Sequence, residues 1–142
     1  MKDDLEEATI CPPLNFRFLT ALTLTGIQVE SLSRETGLYL LSSCPDLEVL
    51  RLEFTEKSWI FNDFFLDEVL MINPLARLES FIVINASLTL ISALRLLNSR
   101  PKLRKIGHLL RWDVEASEMT TFGQIIQRAQ SLQMLPSDLI FL

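Results

Sequence analysis

Apolar residues recur along the chain in one figure, L-x-x-L-x-L. It reads Leu19, Leu22, Leu24, then Leu47, Leu50, Leu52, and more loosely Leu78, Phe81, Val83. A fourth copy opens with Leu103 and Ile106 but carries His108 where the third apolar residue is expected, and a partial fifth opens with Leu132 and Leu135. The first positions lie 28, 31, 25 and 29 residues apart. Two segments also align without a gap at an offset of 56 residues, two periods of 28: the eleven residues from Leu40 to Leu50 match those from Leu96 to Ile106. Such self-similarity at a fixed period is the mark of a repeat architecture.

The figure predicts strands. Residues two apart on a strand face the same side, so Leu50 and Leu52 both point inward, and Leu47 enters the core from the turn before them. Stacking such strands in parallel requires a crossover for each return. The intervening segments have the spacing of helices that could supply it: 33–43 with Leu38, Tyr39 and Leu41; 61–72 with Phe65, Val69 and Ile72 and with Asn62 or Asp63 as cap; 88–98 with Ile91, Leu94 and Leu97; and 117–129 with Phe122, Ile125, Ile126 and Ala129. Pro45, Pro74 and Pro101 stand where they end three of these helices. The expected fold class is α/β, with parallel strands on one side and helices on the other, in about four units plus a partial fifth. At His108 the pattern predicts a bulge or register shift, with Leu109 or Leu110 taking the buried place.

Composition narrows the classes of function. The chain has 142 residues, 49% of them hydrophobic and 22% charged, enough for one domain with a core. Its net charge of −5 disfavours general nucleic-acid binding, which needs clustered Lys and Arg. Two cysteines, Cys11 and Cys44, cannot build a disulfide scaffold, and with a single histidine they form no zinc set. No cofactor is expected. The start, Met1-Lys2-Asp3-Asp4-Leu5-Glu6-Glu7, lacks the basic and apolar regions of a signal peptide, and no stretch is long and apolar enough to span a membrane. The expected location is the cytoplasm, with the nucleus as an alternative. Residues 1–13 read as an acidic lead, poorly ordered or an irregular cap, and residues 14–142 as the repeat domain.

The period and the strand figure resemble the leucine-rich-repeat family, in its longer subclasses of about 28 residues per unit: the ribonuclease-inhibitor-like type and the cysteine-containing type of F-box proteins. The segments Cys44-Pro45-Asp46-Leu47-Glu48-Val49-Leu50 and Arg100-Pro101-Lys102-Leu103-Arg104-Lys105-Ile106 are most similar to the latter. The resemblance implies a solenoid with strands on its concave face, and a non-catalytic protein-binding role, one version being the substrate-recognition region of an SCF-type ubiquitin ligase. A free-standing scaffold or inhibitor is the alternative. The chain departs from the family where Asn or Cys usually follows the strand; those positions hold Ile27, Thr55, Ala86 and Arg111, so the family's polar ladder is expected to be absent or irregular. The closing Leu135-Pro136-Ser137-Asp138-Leu139-Ile140-Phe141-Leu142 resembles the opening of an F-box, but reads better as a last strand and turn.

In this family ligands often bind the concave face. The outward positions are Thr20, Ala21 and Thr23; Glu48, Val49 and Arg51; Glu79, Ser80 and Ile82; and Arg104, Lys105 and Gly107. They grade from neutral through mixed to basic, which suits a protein partner with an acidic segment. Arg95, Arg100, Lys102, Arg104, Lys105 and Arg111 form a basic block with no acid between Ser80 and Trp112. The residues expected to touch a partner are Glu48, Arg51, Glu79, Arg104, Lys105 and Trp112. Trp59 and Phe61 also lie just beyond a strand, and Trp112 or Trp59 would anchor a partner if exposed. Cys44 reads as a small buried apolar residue. The competing class is a small enzyme using His108 with Asp113 or Glu115. Under the non-enzyme reading, His108→Ala leaves any activity assayed on the folded chain unchanged; an activity that collapses in a variant with native circular dichroism would establish the enzyme instead.

Overall fold

The computed structural model describes residues 16–109, 119–134 and 139–141. Strands and helices alternate along them: β1 (Ala21–Ile27), α1 (Arg34–Ser42), β2 (Val49–Phe54), α2 (Asp63–Ile72), β3 (Ser80–Ile84), α3 (Leu90–Ser99), β4 (Lys105–Leu109), α4 (Met119–Ser131) and β5 (Leu139–Phe141). The strands form one parallel sheet in the order β1-β2-β3-β4-β5, so each lies beside its neighbour in sequence. The fold is α/β. Residues 1–15, which include the acidic lead, lie outside the described residues.

The inward strand residues stack in register: Leu22, Leu50, Phe81 and Ile106 form one row, and Leu24, Leu52 and Val83 the next. From β2 onward each is at most 1% exposed. They share one core with Leu41 of α1, with Phe65, Leu66 and Val69 of α2, with Leu90, Ala93, Leu96 and Leu97 of α3, and with Ile125 of α4. Burying one such Leu or Phe contributes about 1.5–3 kcal/mol, so this shared layer holds the helices against the sheet. Leu47, Leu78 and Leu103 enter it from the turns before the strands, each fully buried. Cys44 joins them at 0% exposure.

Helix starts are set by side-chain oxygens that accept otherwise unpaired amides. Ser33 Oγ accepts from Thr36 N at 3.2 Å. Asn62 Oδ1 accepts from Phe65 N at 2.9 Å, so Asn62 rather than Asp63 caps α2. Asp63 reaches instead to the next helix. Its carboxylate accepts from Thr89 N at 3.0 Å, from Thr89 Oγ1 at 2.7 Å and from Ser92 Oγ, capping α3 from outside, where Thr89 makes no side-chain cap of its own. At Gly26 (φ +64°) one extra residue enters β1 between Leu24 and Ile27, a bulge whose left-handed backbone favours glycine.

Several expectations need correction. The register runs unbroken from Lys105 to Leu109, with His108 aligned to Val83, so there is no bulge at His108. The fifth strand is Leu139–Phe141 rather than the segment opening at Leu132 and Leu135; α4 continues to Ser131 and the chain leaves it through Gln133 in the left-handed region (φ +59°). Two helices are rotated from the expected face. Ile72 is 60% exposed while Leu66 is buried, and Ile91 is 52% exposed while Leu90, Ala93 and Leu96 are buried.

Polar side chains bridge successive turns, at one of the family positions and beside another. Thr55 Oγ1 donates to Ile27 O at 3.3 Å, and Asn85 (φ +64°), not Ala86, donates to Phe54 O at 2.9 Å. Behind α2, buried Asn73 donates through Nδ2 to both Leu41 O and Cys44 O at 2.9 Å, while its Oδ1 accepts from Leu75 N at 3.2 Å. That last bond helps hold Leu75 at φ +51°, which a branched side chain seldom adopts. Replacing Asn73 by Ala strands two carbonyls and an amide in the core and is expected to cost about 2–4 kcal/mol, measured as a lower denaturation midpoint with an unchanged m-value.

Candidate protein-binding face

The face of the sheet away from the helices is organised by the turns that enter each strand. In those entering β2, β3 and β4, two successive amides donate to a single carbonyl at the entrance of the strand before. Glu48 N and Val49 N donate to Thr20 O at 2.7 and 2.9 Å; Glu79 N and Ser80 N to Glu48 O at 2.7 and 3.0 Å; Arg104 N and Lys105 N to Glu79 O at 2.7 and 3.0 Å. Thr20, Glu48, Glu79 and Arg104 are thereby stacked in one row across four strands. The next row is Ala21, Val49, Ser80 and Lys105, and beyond it stand Thr23, Arg51, Ile82 and Gly107.

Five of the six expected contact residues lie in these adjoining rows: Glu48, Glu79 and Arg104 at the strand entrances, and Lys105 and Arg51 at outward strand positions. Trp112 lies outside the described residues. Glu79 and Arg104 are exposed, and Glu48, Lys105 and Arg51 are half-buried. Among the described residues, none of Glu48, Glu79, Arg104 and Lys105 forms an ion pair. Glu48 and Glu79 sit one strand apart, about 4.8 Å, a like-charge neighbour relation that opposes folding slightly. Arg51 turns along its own strand, its Nε 2.6 Å from Glu53 Oε2.

Ile82 departs from expectation. It lies on the outward face and outside the shared core, yet it is 6% exposed. It stands in register between Arg51 and Gly107, and the glycine brings no side chain to the neighbouring position. Ile82 thus puts a buried apolar side chain in the middle of the face, beside the charged Arg51 and beyond the charges at the strand entrances.

The basic block divides into two parts. Arg95 pairs with Asp67 of the neighbouring helix at 3.1 Å. Arg100 donates to Pro74 O and Ser99 Oγ, and burial lowers its pKa from the ordinary guanidinium value. Both hold the fold together. Lys102 and Arg104 are exposed, and Arg111 lies outside the described residues. Trp59 is 72% exposed, with Lys57 Nζ 4.3 Å from its ring centroid, whereas Phe61 is buried and packs on Phe65 with centroids 4.9 Å apart. Burial pushes the Cys44 thiol up, and its Sγ lies 3.5 Å from Leu40 O.

The side chains of His108 and Leu109 and the whole of Asp113 and Glu115 lie outside the described residues. Among those described, no three His, Cys, Asp or Glu residues converge as a metal site, and no helix is long and apolar enough to cross a membrane. An open recess of about 350 Å³ between α3 and α4 is lined by Leu94, Asn98, Gln124, Gln127, Arg128 and Ser131.

Sequence reasoning missed Asp63 and Asn73, whose partners lie 26 to 32 residues away. It also missed the exposed apolar line of α2: Phe64, Met71 and Ile72. Comparison with protein-family models, with curated proteins and with solved structures returns no match.

The Arg51–Glu53 pair is half-exposed, so it should add at most about 1 kcal/mol. Arg51→Met is expected to leave the denaturation midpoint nearly unchanged; a large loss would give Arg51 a structural role instead.

Proposed function

We propose that this chain is a leucine-rich-repeat solenoid that acts as a non-catalytic protein-binding module. Its contact face is the row of charges at the strand entrances, Glu48, Glu79 and Arg104, together with Lys105 and Arg51. One observation supports the reading: Glu48, Glu79, Arg104 and Lys105 are set at strand spacing by paired backbone hydrogen bonds and have no ion-pair partners among the described residues. Charges held this way are pre-organised and free to meet a complementary row, which favours fast and selective association.

The repeat reading is supported by the sequential strand order, by the strand-entry turn that recurs three times, and by the 28-residue period. Arg104 and Lys105 lie at one end of the row, so the partner presents an acidic segment there. The role as a substrate-recognition region of an SCF-type ubiquitin ligase rests on the likeness of the Cys44–Leu50 and Arg100–Ile106 segments to F-box-protein repeats, and it places the protein in the cytoplasm or nucleus.

The double reversal Arg104→Glu/Lys105→Glu is expected to leave the melting temperature within a few degrees of the parent and to weaken partner capture at least tenfold, about 1.4 kcal/mol. Quantitative mass spectrometry of proteins captured by the two chains, at low and high salt, measures the effect. Equal capture by the two folded chains would falsify the assignment of this face.

A further inference from the structure

We propose that β1 pairs edge to edge with β1 of a second copy of this chain, joining two sheets into one across a two-fold axis. Among the described residues β1 is bonded to β2 alone, so its other edge is open. The core is open there too. Leu22 and Leu24 are half-buried, whereas Leu50 and Leu52, beside them in register, are at most 1% exposed. Leu19 and Ile27 are also half-buried, and Phe18, just before the strand, is 88% exposed.

The backbone fixes what can cover this edge. Thr20 O accepts from the first amides of β2. The N–H and C=O of one strand residue point to the same side, and the sides alternate along the strand. Leu22 and Leu24 therefore bond toward β2, and Ala21, Thr23 and Thr25 turn their amides and carbonyls to the open side. Such a row is a template for one more strand. Edge strands are ordinarily guarded by charge or proline, and residues 20–27 hold neither. Their one guard is the bulge at Gly26, which breaks the register between Leu24 and Ile27 and so leaves Ala21 to Thr25 as the regular stretch.

A second copy fits that stretch. An antiparallel partner centred on Thr23 sets Thr23 opposite Thr23 and Ala21 opposite Thr25, and each facing pair exchanges both N–H···O bonds. Every amide and carbonyl that these three residues turn outward is then satisfied. Leu22 faces Leu24 of the other copy in the closer, non-bonded pairs, on the helix side of both sheets. The two open ends of the core thus cover one another, as an isologous contact requires. No charge on the strand opposes the pairing. The same rotation, about an axis normal to the sheet, lays the entry end of one strand beside the exit end of the other. Arg17 stands before the entry and Glu30 beyond the exit, both exposed and neither in an ion pair among the described residues. The ends brought together therefore carry unlike charge.

Sedimentation velocity on the full chain, from about 1 to 100 µM, is expected to show a concentration-dependent dimer of twice the 16.3 kDa chain mass. Thr23→Lys sets two like charges face to face at the axis and should leave a monomer with unchanged circular dichroism, since the Thr23 side chain is exposed. Thr23→Val should keep the dimer. In a Cys11→Ser background, with Cys44 buried, Thr23→Cys should cross-link to itself on oxidation, because facing Cα atoms lie about 5.5 Å apart, within disulfide reach. Ala21→Cys or Thr25→Cys alone should not cross-link, and an equal mixture of the two should. A parent chain that stays monomeric throughout overturns the proposal, as does an assembly larger than two, a dimer that survives Thr23→Lys, or a dimer in which Thr23→Cys fails to cross-link. The front-face reversal Arg104→Glu/Lys105→Glu should not move this equilibrium, so failure of the one surface is distinguishable from failure of the other.

Discussion

The fold depends first on the paired amide bonds that open β2, β3 and β4. Two successive N–H groups converge on one carbonyl of the preceding strand, at Thr20, Glu48 and Glu79 in turn. Buried or half-buried backbone groups must be satisfied, and this arrangement does so while fixing the register of the next strand. Once Glu48 and Val49 are tied to Thr20, the alternation of the strand decides that Leu50 and Leu52 point to the helices and Arg51 away from them. A slip of one residue would turn Leu50 and Leu52 out of the core, so the hydrogen bonds and the apolar layer enforce the same register.

The helix layer is joined by contacts that skip from one unit to the next. Asp63 caps α3, Arg34 pairs with Glu68, Asp67 with Arg95, and Arg128 Nε donates to Leu97 O at 3.3 Å. The exposed ion pairs each contribute little. The Asp63 carboxylate matters more, because it accepts from the Thr89 amide and from the Thr89 and Ser92 hydroxyls and sets a negative charge at the positive, N-terminal end of α3. Asn73 does the corresponding work at the exit of α2, donating to the carbonyls of Leu41, at the end of α1, and of Cys44 just beyond it. Stability is therefore passed along the chain between neighbours, and a change in one unit is felt mainly by the next.

This division explains what could be read in the sequence. The strands were readable because their signal is local: Leu50 with Leu52, or Phe81 with Val83, needs only a period of two. The parallel sheet followed, since segments of helical spacing separate the strands. Helix faces were read less well. Phe65, Val69 and Ile72 satisfy helical spacing as well as Phe65, Leu66 and Val69 do, and only the neighbouring helices decide which line is covered. Ile82 was rightly placed on the outward side, yet its neighbours in register, Arg51 and Gly107, stand on two strands that no local pattern links to it. Asp63 and Asn73 look like ordinary helix-end residues; their partners 26 to 32 residues away become visible only once the chain has folded. The last strand falls within the Leu135–Leu142 segment read as a final strand and turn, but not on the spacing that Leu132 and Leu135 continue, because α4 runs to Ser131.

The charges of the two surfaces are arranged by different physics. On the helix side, Arg34, Glu68, Asp67 and Arg95 are engaged with one another, and what remains available is apolar area. On the strand side, Glu48, Glu79, Arg104 and Lys105 have no ionic partner among the described residues, and what remains available is charge. An apolar surface gains by excluding water and tolerates many shapes, whereas a fixed row of charges discriminates among partners through the repulsion of wrong ones. The backbone pairing at the strand entrances keeps the charged row rigid, whatever the helices touch.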